Sequence, residues 1–367
     1  MGKSTKLILL VSILIASLGI ISIYSSTYQK EGDLWKLIYQ RQIFWIILGL
    51  VFFFLTSNLN YRRLWDASYF LYILMLFFLG LVFILGIVRL GAQRWIRIFW
   101  FNFQPSELAK IIMTIFLARY FSTKAIDDIS LRAPKFGLLR AFVVPFMFVA
   151  LPVGLIIKQP DLGTGMLIIF IFITMMYLGG VKWKIFVLIF IIAILLFPVL
   201  WHFLREYQKS RLIVFLNPDI DPLGAGYTMI QSKIAIGSGG FFGKGWLSGT
   251  QSQLHFLPES HTDFIFATFT EEWGLLGSLI LLLLYYALIR EGIKIALSTG
   301  DHFGRLLAYG ISLMLFIQII INISMNLGLA PVVGVPLPLM SYGGSSIMVT
   351  FISLGILVNI GKTRAVF

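Results

Sequence analysis

Apolar runs long enough to cross roughly 30 Å of hydrocarbon as helices recur about ten times in this chain. They fall near residues 7–24, 38–57, 68–89, 106–121, 140–157, 162–180, 183–203, 263–290, 303–327 and 341–361. A chain built this way belongs in a bilayer: with 59% hydrophobic and only 12% charged residues it cannot cover a water-facing surface. The expected fold is an all-α polytopic membrane protein forming one domain over residues 1–367, with a large loop at 204–262 between the seventh and eighth helices. The fourth run is short and carries Glu107 and Lys110. Losing it would place the two termini on opposite sides of the membrane.

Lys3 and Lys6 precede the first run without a small-residue cleavage site after it, which marks an uncleaved first helix. With the amino terminus inside, Arg62, Arg63, Arg119, Lys124, Arg132, Lys135, Arg140, Lys182, Lys184, Arg290, Lys294, Arg305, Lys362 and Arg364 collect on the inner side. That agrees with the positive-inside rule and turns the 204–262 loop outward. The formal charge of +13 then reflects topology and anionic headgroups rather than nucleic acid. Cysteine is absent, which excludes disulfides and thiolate chemistry. The four histidines are scattered without H-E-x-x-H spacing, so no metal centre is expected.

Two segments depart from plain apolar character: 91–107, and 328–344 with its prolines at 331, 336 and 338. Both fall on the outer side. Irregular backbone at membrane depth survives only when buried in protein or lining a wet cavity, so these segments and the long loop are expected to wall an outward cleft.

Several charged residues carry two readings each. Glu107 and Lys110 share a helix face and suit a structural ion pair; Lys110 touching an anionic substrate is the alternative. Arg94, Trp95 and Arg97, with Trp100 nearby, suit an interfacial anchor. An arginine turned into the cleft instead suits phosphate oxygens, and Lys209, Arg211 and Lys233 add positive charge on the same side. Gly237 to Gly245 lacks the spacing of a nucleotide loop and reads as tight turns and close backbone packing. Asp161 reads as the cap of the sixth helix. Glu271 and Glu272 fall inside the eighth run, where one should be paired or protonated. Asn322-Ile-Ser324 has a glycosylation spacing but lies within a span.

Asp263 stands at the mouth of the eighth run, directly after the long polar loop, and is the candidate catalytic residue. A helix cap behind Thr262 is the plainer alternative. Glycoside hydrolysis needs two carboxylates because a sugar leaving group requires a proton. A diphosphate leaving group held by cations does not, so one base and a positive pocket are the minimum for glycosyl transfer from a lipid diphosphate. A transporter with the same outward cavity is the competing reading, though no inverted repeat is visible.

The chain resembles the SEDS family (shape, elongation, division and sporulation), on its elongation branch rather than its division branch. The likeness runs through Gly91-Ala-Gln-Arg-Trp95, Gln104-Pro-Ser-Glu-Leu-Ala-Lys110, Gln159-Pro-Asp-Leu-Gly-Thr164 and Asp221-Pro-Leu-Gly-Ala-Gly-Tyr227. It continues through Gln231 to Gly240, Leu257 to Phe266, Glu271-Glu272 and Pro336-Leu-Pro-Leu-Met-Ser-Tyr-Gly-Gly344. Departures fall at Ser260, Trp273, Ser324 and Asn326. The resemblance implies a ten-helix peptidoglycan glycosyltransferase of the bacterial inner membrane, with both termini cytoplasmic and its site on the outer face. It would polymerise lipid II and work with a class B penicillin-binding protein that supplies the transpeptidase. The family's essential aspartate corresponds to Asp263, with Arg94, Trp95, Lys110, Arg211, Lys233 and Ser341 as candidate substrate-binding residues. Magnesium is an alternative to these cations for steadying the leaving diphosphate.

Overall fold

The computed structural model describes residues 2–29, 35, 37–89, 92–99, 101–126, 142–222 and 224–363. A long helix stands at every one of the predicted apolar runs. In chain order these are α1 (Lys3–Thr27), α2 (Ile38–Asn58), α3 (Arg63–Leu85), α4 (Pro105–Ile126), α5 (Val144–Lys158), α6 (Leu162–Leu178) and α7 (Trp183–Phe203). After the long loop, whose helices are α8 (Glu206–Leu216), α9 (Ala225–Gly239) and α10 (Thr250–Gln253), come α11 (Ile265–Ser298), α12 (His302–Leu327) and α13 (Gly344–Thr363). Six of them, α1, α2, α3, α11, α12 and α13, are long and apolar enough to cross a membrane. Helices α5 and α6 and the first part of α7 are apolar but shorter.

The short fourth run becomes a full helix because it is buried on nearly every side, with Glu107 and Lys110 paired to each other within it. Ala109, Met113, Leu117, Ala118 and Phe121 are fully enclosed, as suits a helix at the centre of a bundle rather than its rim. Around it pack α3, α6 and α12, while α2 lies along α13 and α1 along α11. Helices meet closely through small residues, which matters in a bilayer where lipid tails compete with any apolar side chain. A methyl group at Gly355 of α13 would collide with Thr56 and the Phe53 backbone of α2, and one at Gly310 of α12 with Thr114 of α4. Helix α7 is the opposite case, with Phe190, Ile194 and Leu195 exposed along its length.

Four expectations need correction or bounding. The third run ends early: Gly86–Arg89 is strand β1, which pairs antiparallel with β2 (Ala92–Ile98), itself paired with β3 (Phe101–Phe103). The 91–107 segment is therefore largely a sheet, because its backbone satisfies itself by strand pairing. Residues 341–343 belong to the loop ahead of α13 rather than to the last span. Helix α11 starts at Ile265, runs to Ser298 and breaks at Gly274, where φ is 65°. Arg132, Lys135, Arg140, Arg364, Gly91 and Trp100, which figured in the sequence reading, lie outside the described residues.

The break in α11 explains the glycines of the preceding loop. Leu275 and Leu276 donate their N–H groups to Gly240 and Phe241, and Lys244 and Gly245 donate theirs to the Glu271 and Glu272 carbonyls. A Cβ at Gly243 or Gly274 would sit inside the other strand of this backbone pairing. Glu271 is ion-paired to Lys244 at 2.7 Å and accepts from Thr250 and Gln251, while Glu272 accepts from Ser25 of α1.

Candidate functional site

Asp263 lies in the short non-helical stretch that leads into α11, half-buried, between the 328–343 loop and the long 204–262 loop. The cap position of α11 is Phe264 and no side chain caps the helix, so the plain capping alternative for Asp263 is not what the structure shows. Among the described residues its carboxylate accepts no hydrogen bond. Burial, followed by the nearby Glu259 carboxylate, pushes its pKa up to about 6 from 3.8, against the lowering effect of Arg94 and Arg211.

Those two arginines arrive from different elements. Arg94 is carried by β2, and its guanidinium donates to the Pro160 carbonyl at the start of α6 while its Nε is buried without a partner among the described residues. Arg211 is carried by α8, stacks over Tyr207 at 5.9 Å and leaves Nη1 buried and unpaired among the described residues. Burial, then the charge of Arg94, lowers the pKa of Arg211, which marks two guanidiniums sharing one neighbourhood. A buried N–H without an acceptor costs about 1–3 kcal/mol, so two such donors beside a free carboxylate describe a site awaiting an anionic, hydroxyl-bearing ligand.

Asp161 bounds the same region but is saturated. Its carboxylate accepts from the Thr164 N–H at 3.2 Å, from Ser106 at 2.8 Å and from Gln104 at 3.1 Å. It caps α6 as the sequence suggested and ties α6 to the start of α4.

The other candidates divide. Lys233 is exposed on α9, its stem lying against Gly328, where the αL backbone that ends α12 (φ 70°) leaves no room for a side chain. Lys110 is buried, holds Glu107 at 2.8 Å and donates to Gln318 at 3.1 Å, so the structural pair is what the geometry supplies. Trp95 follows Arg94 on β2, and strand alternation sends the two side chains to opposite faces. Ser341 is buried; its hydroxyl donates to the Thr262 carbonyl at 2.6 Å and accepts from the Leu337 N–H at 2.7 Å, a loop tie rather than an open contact. Among the described residues no three His, Asp or Glu side chains converge as a metal would require. Magnesium reaching the site would depend on oxygens of the ligand itself.

Two neighbours of Asp263 were not among the site candidates of the sequence. Asn322 and Asn326 of α12 are fully buried and both donate to the Asp263 carbonyl, at 2.9 and 3.0 Å. The available signal was two amides four residues apart in an apolar span, hence on one helix face where lipid would not tolerate them. The sequence marks Asn322 only by a glycosylation spacing that lies within a span, and Asn326 only as a departure from the family pattern.

With this geometry in place, comparison with known proteins is specific. The family model described as "Cell cycle protein", covering FtsW, RodA and SpoVE, matches residues 5–365. The chain is 42% identical over 361 residues to the peptidoglycan glycosyltransferase MrdB of Escherichia coli, covering 98% of this chain and 93% of that one. It is 36% identical to the stage V sporulation protein E of Bacillus subtilis, covering 97% and 96%. Among solved structures, a chain described under "Structural coordination of polymerization and crosslinking by a peptidoglycan synthase complex" superposes with a TM-score of 0.83 at 30% identity, covering 97% of each chain. The rod shape determining protein RodA of Thermus thermophilus follows at 0.70 and 28%, covering 97% and 96%.

Proposed function

Because the chain belongs to the SEDS family of multi-pass membrane proteins, we propose that it is a peptidoglycan glycosyltransferase that polymerises lipid II into glycan strands. The observation that carries this reading is the free carboxylate of Asp263 beside two guanidiniums with unpaired N–H groups. Asp263 accepts the proton of the acceptor sugar's 4-hydroxyl as that oxygen bonds to the anomeric carbon of the donor. The bond from that carbon to the diphosphate breaks with inversion, and undecaprenyl diphosphate leaves with the electron pair. Arg94 and Arg211 meet the departing charge with planar, paired donors, the role in which arginine outperforms a point charge. A base is most effective with a pKa near ambient pH, and burial has moved Asp263 in that direction.

An even number of helices at the apolar runs supports both termini on one side of the membrane, and the lysines and arginines on the loops of that side support its being cytoplasmic, which puts the site on the outer face, where lipid-linked disaccharide is presented. The solved relative from a peptidoglycan synthase complex supports a transpeptidase of the class B penicillin-binding proteins as partner. The test is the product made from purified lipid II by the full chain in bilayers with its transpeptidase. Glycan strands support the reading, whereas lipid II that changes leaflet without forming strands identifies a transporter.

A further inference from the structure

The first turn of α11 closes on its cap, Phe264, whose carbonyl accepts the Thr268 N–H at 3.2 Å, and the Ala267 N–H is one of the leading donors that have no partner within the helix. A helix begun one residue earlier would pair that N–H with the Asp263 carbonyl and make Asp263 its cap. Instead the Asn326 side chain stands between them: its Oδ1 accepts the Ala267 N–H at 3.1 Å and its Nδ2 donates to the Asp263 carbonyl at 3.0 Å. Asn322, one turn earlier on α12, donates to the same carbonyl at 2.9 Å and to the Val335 carbonyl at 2.7 Å. Both lone pairs of the Asp263 carbonyl are thereby occupied.

The neighbouring carbonyls are held in the same manner. Thr262 accepts from the Ser341 hydroxyl at 2.6 Å and His261 from the Tyr342 N–H at 2.9 Å. Three consecutive peptides, 261 to 263, are thus fixed by donors from α12 and the loop that follows it, while the Asp263 side chain is left untouched. The same loop brings Gly334 beneath it, where a Cβ would lie 3.3 Å from Asp263 Oδ2.

We infer that Asn326, assisted by Asn322, is a positioning residue: its amide takes both the Ala267 N–H and the Asp263 carbonyl, stops α11 one residue short of Asp263, and so keeps that carboxylate out of the capping position. The wedge matters because a helix begun one residue earlier would make Asp263 its cap, and a capping carboxylate is already engaged. This inference rests on Asp263 being the base.

The test compares Asn326→Leu, Asn326→Asp and Asp263→Asn in the full chain, reconstituted with its transpeptidase and assayed on purified lipid II. Leucine matches asparagine in size but offers no amide, so Ala267 can bond the Asp263 carbonyl and extend the helix by one residue. The aspartate keeps the acceptor for Ala267 and loses the donor. The expected result is a kcat loss of about 100-fold for Asn326→Leu, the scale that a misplaced reacting group produces, with KM changed by less than about threefold. Slower amide exchange at Ala267 should accompany it, without a matching loss of melting temperature. Asn326→Asp should lose kcat as well, without the added exchange protection. If Asp263→Asn makes no strands while Asn326→Leu turns over normally, the wedge is overturned and the base stands. Parallel losses of kcat, KM and melting temperature would reduce the asparagine to a fold residue and overturn the wedge. Wild-type strand formation by Asp263→Asn would remove the base, and the wedge with it.

Discussion

Two buried charge clusters in this molecule contain the same kinds of side chain and differ in how completely they are closed. In the first, Lys110 binds Glu107 at 2.8 Å and Gln318 at 3.1 Å, and Gln318 in turn donates to the Pro336 carbonyl at 2.9 Å. In the second, among the described residues, the Asp263 carboxylate accepts no hydrogen bond, and Arg94 and Arg211 each keep a buried N–H without an acceptor. The first cluster is complete without a ligand; the second keeps donors and a carboxylate that a ligand would complete. Burial and charge alone marked both in the sequence, and only the tally of partners separates them.

That contrast is sharpened most by removing the base. Asp263→Asn keeps the shape and cannot take a proton, so strand formation should fall by at least the 10²–10⁴-fold that general-base catalysis supplies. Arg94→Ala and Arg211→Ala should each cost about 10²–10³-fold in kcat, the scale of a lost donor to developing negative charge. Lysine at either position should recover only part of this, because it cannot reproduce the planar fork.

The closed cluster should respond in stability instead. Lys110→Met strands the Glu107 carboxylate and should destabilise the fold by about 3–5 kcal/mol, measurable by thermal unfolding in detergent or bilayers. The double variant Glu107→Gln/Lys110→Met should recover most of that loss.

The smallest effect is on pH. Asp263 is protonated below about 6 and cannot then act as a base, so the strand-forming rate should rise through that pH and level off above it. Its raised pKa also means that the stability linked to this group is present in full below 3.8 and is lost as pH rises through about 6. Asp263→Asn should therefore melt higher than the wild type above pH 6 and converge with it in acid.

Much of the architecture was legible because hydrocarbon imposes one rule, a long apolar helix, and a helix stands at each run that obeys it. The sheet at 86–103 was not legible, since Gly86–Arg89 is apolar enough to extend a helix and only pairing with Ala92–Ile98 shows otherwise. Asp263 was legible from its place at the mouth of a span. Arg94 and Arg211 were legible as charges expected on the same side as Asp263, but their convergence depends on how β2 and α8 fold over the bundle. The asparagine wedge was missed because its function is to bond a backbone carbonyl, and the sequence does not record which carbonyls are left without a helical partner. Ser341 was read as a substrate contact for the same reason: its partner is the Thr262 backbone.

The most direct measurement sets strand formation from purified lipid II by Asp263→Asn beside that by Glu107→Gln/Lys110→Met, in the same bilayers with the same transpeptidase. The open cluster as catalytic centre requires no strands from the first variant and most of the wild-type rate from the second. Strands at the wild-type rate from Asp263→Asn, with loss in the double variant, would assign the chemistry to the closed cluster and contradict the account.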